Sequence, residues 1–469
     1  VDAKSGQTFT TFDPSTGRAL AEVADGGADD VDAAVQAARR AFEDGPWRRL
    51  SAAERGRILW RIAELVRKHA HTLALLESLD AGKPLADNKA VDVPLTAEVF
   101  EYFAGWTTKA GGTTFPVKAR ALTYTLREPV GVAGVITPWN FPMLLSAYKL
   151  APALAMGCTV VHKPAEQTPL TALKLGELFR EAGVPDGVVN VVTGGPSAGA
   201  ALVKHPDVDK ISFTGSTEVG QIVMREAASS LKRVTLELGG KSPNIVFADA
   251  DLDLASRGAI SGVFYNAGQI CTAGSRVLVE KKVHGEFVEL LKLRAQKMVH
   301  GNAADPKTRL GPQISQAQLD SILAHVERAK AEGAALVHGG ERARAVPGCE
   351  GGWFMQPTLF DGVRPDMALA REEVFGPVAA VIPFDDEADA IRIANASRYG
   401  LAAGVWTGDV RRAHRMAQAL RAGTVWVNLY NLYDPAAPFG GFKQSGFGRE
   451  LGAQAIEAFS ELKTVWMAT

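Results

Sequence analysis

The stretch Val130-Gly131-Val132-Ala133-Gly134-Val135-Ile136-Thr137-Pro138-Trp139-Asn140-Phe141-Pro142 opens the part of the chain whose reading decides the fold. An apolar run at 130–136 ends in two prolines that fix the backbone around Asn140, and a helical pattern follows over 142–156. The same alternation then repeats. Short apolar runs at 159–162, 188–192, 211–213 and 244–247 are separated by helical patterns at 168–182, 196–204 and 218–230. Strands that alternate with helices in this way predict a parallel sheet covered on both faces. Its ligands would lie at the carboxyl ends of the strands.

Outward from this core, a second α/β run extends from 275 to 428, with strands near 275–280, 378–383 and 424–428. The first hundred residues read mainly as helices. Val31, Val35, Ala38 and Phe42 recur at helical spacing. Ser51 with Glu54 forms a capping-box pattern ahead of Ile58, Ile62, Leu65 and Val66. Segment 121–127 has period two instead, Leu122, Tyr124 and Leu126 against Thr123, Thr125 and Arg127, which predicts an exposed strand. Two arms, 109–127 and the C-terminus, fit neither α/β unit and suit pairing across a subunit boundary.

Bulk properties narrow the function. A chain of 469 residues is too long for one core. A net charge of −1 gives no basic surface for nucleic acid and no attraction to a membrane. No run of 18 apolar residues and no signal-peptide pattern occurs. Three cysteines, Cys158, Cys271 and Cys349, are too few for a disulfide framework and point to reduced thiols in the cytoplasm. The chain opens on Val1, so removal of a leading segment stays open. The nine histidines show no metal-ligand spacing, which predicts no metal site.

Two runs carry the chemistry. Cys271 sits in Tyr265-Asn266-Ala267-Gly268-Gln269-Ile270-Cys271-Thr272, between a helical and a strand-like segment. Glu237, 34 residues upstream, lies in Leu236-Glu237-Leu238-Gly239-Gly240. A thiol and a carboxylate without a partnering histidine suggest covalent catalysis in which the acid activates water. Only a thiolate is a good nucleophile, so the site is expected to favour deprotonation. The run Phe213-Thr214-Gly215-Ser216-Thr217-Glu218-Val219-Gly220 follows a strand and opens a helix, so it is either a phosphate-binding turn or a plain tight turn. Lys163 and Glu166 end another strand and suit either a ribose diol or a capped surface loop. Asn140 suits an oxyanion donor or a buried turn. Cys158 reads as a small core residue, and Cys349 has no assigned role.

Taken in order, PWNFP (138–142), KPAEQTP (163–169), FTGSTEVG (213–220), LELGGKSPNIVF (236–247), GQICTAGSR (268–276), EEVFGPV (372–378) and PFGGFKQSGFGRELG (438–452) resemble the aldehyde dehydrogenase superfamily across essentially the whole chain. The resemblance implies a modified Rossmann NAD-binding domain (1–108 and 128–239), an α/β catalytic domain (240–445) and an oligomerisation arm (109–127 and 446–469). It implies oxidation of an aldehyde to its acid through a cysteine thiohemiacetal and thioester. Cys271 matches the nucleophile and Glu237 the general base, which sets the chain apart from the acylating, coenzyme A branch. Asn140, with the backbone N–H of Cys271, matches the oxyanion hole. Lys163 and Glu166 match contacts to the adenosine ribose, Ser216 a pyrophosphate contact, Gly195 and Pro196 the adenine flank, and Glu373 and Phe375 the nicotinamide-ribose side. Thr137, Pro138, Trp139, Thr214, Gly215, Gly220 and Leu238 complete the implied cofactor set. Glu450 matches a second acid near the water path. A carboxylate at 166 would repel a 2′-phosphate, which favours NAD over NADP. The implied substrate tunnel is lined by Phe141, Leu144, Leu145, Tyr148, Tyr265, Ile270, Thr272, Asn431, Tyr433 and Phe439. That lining is aromatic-rich and suits apolar or aryl aldehydes. A betaine or amino aldehyde, held by a tyrosine cage, is the alternative substrate. A non-catalytic structural relative and a cofactor-independent thiol esterase are the other readings. A homodimer or homotetramer is expected.

Overall fold

A computed structural model describes residues 2–344 and 346–469. Two sheets organise it. In the first, the strands lie in the order Gly446–Phe447, Arg233–Glu237, Lys210–Thr214, Val132–Ile136, Thr159–Lys163 and Val189–Val191. All of its neighbours are parallel except the short edge strand Gly446–Phe447, which runs antiparallel to Arg233–Glu237. The connecting helices Pro142–Met156, Leu170–Glu181, Pro196–Lys204 and Thr217–Ala228 fall where the alternation predicted them.

The second sheet has the order Ala335–His338, Thr358–Asp361, Val378–Phe384, Arg276–Glu280, Pro243–Val246, Ala402–Trp406 and Thr424–Val427. Its inner strands Val378–Phe384, Arg276–Glu280, Pro243–Val246 and Ala402–Trp406 read as nearly continuous apolar runs because both faces are covered, whereas the edge strand Ala335–His338 is antiparallel to its neighbour and largely exposed. Along Arg276–Glu280, Leu278 packs into one apolar cluster while Val277 and Val279 pack into the opposite one, the alternation that a pleated strand imposes.

The third element is a three-stranded arm, Ser460–Ala468, Ala121–Pro129 and Thr114–Phe115. Ala121–Pro129 pairs with Ser460–Ala468 along its whole length, from Ala121 opposite Ala468 to Pro129 opposite Ser460. Leu122, Leu126, Leu462, Trp466 and Met467 stay exposed on it.

The N-terminal segment differs from the helical expectation. It begins with an antiparallel hairpin, Thr8–Asp13 and Arg18–Ala24, before the helix Ala28–Glu43. That helix buries Val31, Val35, Ala38 and Ala41, whereas Phe42 stays at the margin under the Arg39 guanidinium. The Ser51–Glu54 capping box forms as predicted. No described helix is long and apolar enough to cross a membrane.

Candidate active site

Glu237 is the last residue of its strand in the first sheet, and Cys271 precedes the strand Arg276–Glu280 of the second. The chain passes from one sheet to the other through Gly239 and Gly240, and the site forms at that crossing. A Cβ on Gly240 would fall 2.3 Å from the Cys271 carbonyl oxygen, so only glycine lets the two segments approach.

The turn ahead of Cys271 is strained. Asn266 and Ala267 hold left-handed φ values of 49° and 54°, and alanine there is uncommon. Polar contacts enforce the shape. Asn266 Nδ2 donates to the carbonyls of Asn140 (3.1 Å) and Gln269 (3.2 Å). The Gln269 side chain donates to the Asn266 carbonyl and accepts the Ile314 N–H. Asn140 Nδ2 donates to the Gln269 carbonyl at 3.0 Å. An amide NH₂ carries two hydrogens, so one remains for an oxyanion. Behind Cys271, the Tyr430 hydroxyl donates to the Thr272 carbonyl at 2.8 Å.

Electrostatics near the thiol run against the expectation from sequence. Burial pushes the Cys271 thiol well above its ordinary range, and the Glu373 and Glu237 carboxyls beside it push the same way. At neutral pH these surroundings favour the neutral thiol in the free protein. Glu237 is also raised well above the usual carboxylate range, by burial and then by the Glu450 carboxylate, while Lys149 opposes the shift. Neither Glu237 oxygen has a hydrogen-bond partner among the described residues, so both are free to receive water. Glu450 is held by a buried ion pair with Lys149.

A cleft of about 490 Å³ opens at the carboxyl ends of the first-sheet strands. Thr137, Pro138, Trp139, Lys163, Glu166, Pro196, Thr214, Gly215 and Ser216 line it, with Val219, Ile222 and Val223 as an apolar wall. Ser216 caps the helix Thr217–Ala228 by accepting the Val219 N–H at 3.2 Å, so the first-turn N–H groups face the cleft mouth. Thr214 Oγ1 is buried without a partner among the described residues. Lys163 Nζ donates to Glu166 at 3.1 Å. Gly195 lies in an adjoining cavity of about 330 Å³ that also contains Glu166. Polar groups at a helix start, a Lys–Glu pair and apolar walls fit a dinucleotide.

Other predicted positions lie outside the cleft lining. Gly220 packs against Leu238, where a Cβ would meet that side chain at 2.5 Å, so both serve the helix–sheet contact. Glu373 turns toward Cys271, accepts the Gly240 N–H at 3.0 Å and is pushed up to about 7 by burial. Phe375, at φ 54°, stands edge-on to Trp139 with ring centroids 5.2 Å apart.

The predicted tunnel residues also come together. Phe141, Leu144, Leu145, Tyr148, Ile270 and Phe439 share one apolar cluster, with Tyr265, Cys271 and Tyr433 packed at its margin. Thr272 is fully buried, its hydroxyl bonded to Tyr433 (2.7 Å) and Asn431 (3.3 Å). Reading the sequence passed over Lys149, Tyr430 and Asn266. Lys149 did leave a signal, as the lone charge in an otherwise apolar helix, Pro142–Met156, whose side chains are all buried.

These features define a thiol–carboxylate centre beside a dinucleotide cleft. Comparison with known proteins gives the class. Residues 1–465 match the model of the aldehyde dehydrogenase family, and the chain belongs to that family. It is 50% identical over 467 residues to human mitochondrial aldehyde dehydrogenase, covering 99% of this chain and 89% of that one. It is 52% identical over 468 residues to mouse retinaldehyde dehydrogenase 3, covering 99% and 90%. The solved NAD+ complex of a Bacillus cereus aldehyde dehydrogenase superposes with a TM-score of 0.98 at 50% identity, covering 100% of this chain and 94% of that one. The chain is an enzyme that oxidises aldehydes to carboxylic acids.

Proposed function

We propose that this enzyme uses NAD to oxidise neutral apolar or aryl aldehydes, with Cys271 as nucleophile, Glu237 as base and Asn140 as oxyanion donor. The observation that carries the reading is the convergence of these groups where the two sheets meet. With the cofactor bound, the Cys271 thiol releases its proton to water in the cleft, and the thiolate sulfur adds to the aldehyde carbonyl. The free N–H of Asn140 and the backbone N–H of Cys271 hold the alkoxide, and one such donor contributes about 3 kcal/mol to lowering the barrier. NAD, when bound in the cleft, supplies the hydride acceptor that turns this adduct into a thioester. Glu237 then takes a proton from water, the hydroxide oxygen attacks the thioester, and the acid leaves as the thiol is restored. Glu450 and Lys149 lie next to Glu237 and suit the onward passage of that proton.

Lys163 and Glu166 suit the adenosine ribose, Pro196 and Gly195 the adenine, Ser216 the pyrophosphate, and Glu373 and Phe375 the nicotinamide ribose. None of the residues assigned above to the substrate wall beside Cys271 is an acid, which supports neutral aldehydes over betaine-type ones. The exposed apolar arm supports self-association as a homodimer or homotetramer. Three free thiols suit a reducing compartment such as the cytoplasm.

The test is a pair of variants. Cys271→Ala should abolish NADH formation. Glu237→Gln should give one burst of NADH and then stall at the acyl-enzyme. Sustained turnover by either variant overturns the assignment.

A further inference from the structure

One charged side chain in contact with the aromatic cluster comes from a segment to which the reaction assigns no role. Lys83 follows Gly82, a helix cap at φ 72°, and is fully buried. Its ammonium forms an ion pair with Asp92, which is equally buried. The same ammonium sits 3.9 Å from the centroid of the Phe141 ring and 4.7 Å from that of Tyr265. The two rings are stacked, with centroids 6.3 Å apart at 27°.

Local structure holds the ammonium in place. Asp92 ends a π-helical turn, Asn88–Asp92, a rare geometry that recurs at functional sites. Asn88 at its start donates to the Lys83 carbonyl (3.3 Å) and to Ser78 Oγ (2.9 Å), so turn and loop are tied together. Glu77, buried nearby, accepts the Met143 N–H at 3.3 Å, next to Phe141. Burial and then the Asp92 charge push its carboxyl up to about 8, so it stays protonated at neutral pH. Lys83 is ion-paired with Asp92, the Asp87 carboxyl also lies close enough to feel its charge, and its ammonium faces the rings.

A buried ion pair is a weak source of stability, and apolar residues of similar size often replace one without loss. The two ring contacts mark a different role. An aromatic ring attracts a cation through its negative face. A ring that already carries an ammonium at van der Waals distance attracts a second cation poorly, since the two positive charges repel through a medium of low dielectric.

We propose that Lys83 is a positioning and specificity-determining residue: it holds Phe141 and Tyr265 by their faces and sets the aromatic wall against cationic aldehydes in favour of neutral ones. This inference rests on the reading of that wall as the substrate contact.

The test compares two aldehydes of one shape, the trimethylammonio compound betaine aldehyde and its neutral isostere 3,3-dimethylbutanal. The wild-type enzyme should prefer the neutral aldehyde in kcat/KM. Preference for the cation in the wild type overturns the proposal without any variant. In the charge-free pair Lys83→Met with Asp92→Leu, the cation-to-neutral ratio should rise by about fivefold to tenfold, the scale of one cation–π contact. In Asp92→Asn, which leaves the ammonium unbalanced, the ratio should fall. A purely structural role would change both aldehydes alike and leave the ratio unmoved. An unmoved ratio in either folded variant overturns the proposal. Tyr265→Leu separates the two readings. If it leaves both KM values unchanged, the wall is not the substrate contact. If it raises them while the Lys83 variants leave the ratio alone, only the present inference falls.

Discussion

The ammonium of Lys149 is ion-paired to the carboxylate of Glu450 inside the protein, and the pair brackets the Glu237 carboxyl with opposite charges. Glu450 raises Glu237 and Lys149 lowers it. The two charges therefore tune one carboxyl, the proposed base, in opposite directions. In Glu450→Gln the acid limb of the kcat–pH profile should move to lower pH. In Lys149→Met it should move to higher pH. Steady-state profiles under saturating aldehyde check both, and a shift of the same sign in the two variants would contradict the arrangement.

The Cys271 thiol of the free protein is raised by burial and by the acids at 373 and 237. Its alkylation by iodoacetamide should keep accelerating beyond about pH 10, where an ordinary thiol of pKa about 8.5 has levelled off. Glu373→Gln removes one of the opposing charges and should shift that curve to lower pH. A plateau near neutral pH in the wild type would rule out the neutral-thiol state.

Tyr430 anchors the residue after Cys271 through its hydroxyl. Tyr430→Phe leaves the Thr272 carbonyl without that donor, a loss of about 1–3 kcal/mol for a buried group. The change should lower kcat several-fold while KM for NAD holds, because the cleft lining lies elsewhere. An unchanged kcat would mean that the loop keeps its shape without the tyrosine.

Glu166 places a carboxylate beside Lys163 at the edge of the cleft. Glu166→Gln should raise kcat/KM for NADP by about tenfold at low salt. The gain should shrink as salt rises, because the side chain is partly exposed and its field is screened. Initial rates with both cofactors at two ionic strengths check it. No gain in NADP use would remove Glu166 from the ribose contact.

Glu77 is raised from 4.5 to about 8 in the folded protein. A folded-state value above the unfolded one means that folding takes up a proton. The associated stability is fully present below about pH 4.5 and is lost as pH rises through about 8. Glu77→Gln does not titrate, so its melting temperature should fall less across that window than that of the wild type. Parallel melting curves for the two proteins would show that Glu77 ionises normally.

Much of this protein is legible in its residues. The alternation of apolar runs and helical stretches places four strands of the first sheet, Val132–Ile136, Thr159–Lys163, Val189–Val191 and Lys210–Thr214, and its connecting helices, because burial on both faces demands continuous apolar strands; the run at 244–247 instead joins the second sheet, and the polar-flanked strand Arg233–Glu237 left no such run. The Ser51–Glu54 cap follows from local hydrogen bonding alone. Phe42 shows the limit. Helical spacing put it on the buried face, but Ala41 takes that place, since the width of the apolar stripe depends on what packs against it. The opening hairpin was also missed, because Thr8–Asp13 and Arg18–Ala24 gain their strand character mainly by pairing with each other.

The sequence alone determined the candidate groups for the proposed chemistry: a lone thiol in a glycine-flanked turn, an acid at a strand end and an amide between prolines, each a local pattern of residue types. Tertiary structure alone decided how they behave. The charge state of Cys271 and Glu237 depends on burial and on carboxyls brought from residues 373 and 450. The character of the aromatic wall depends on an ammonium from Lys83, which is near Phe141 only after folding. Electrostatic energies depend on distance and desolvation, and a one-dimensional chain records neither.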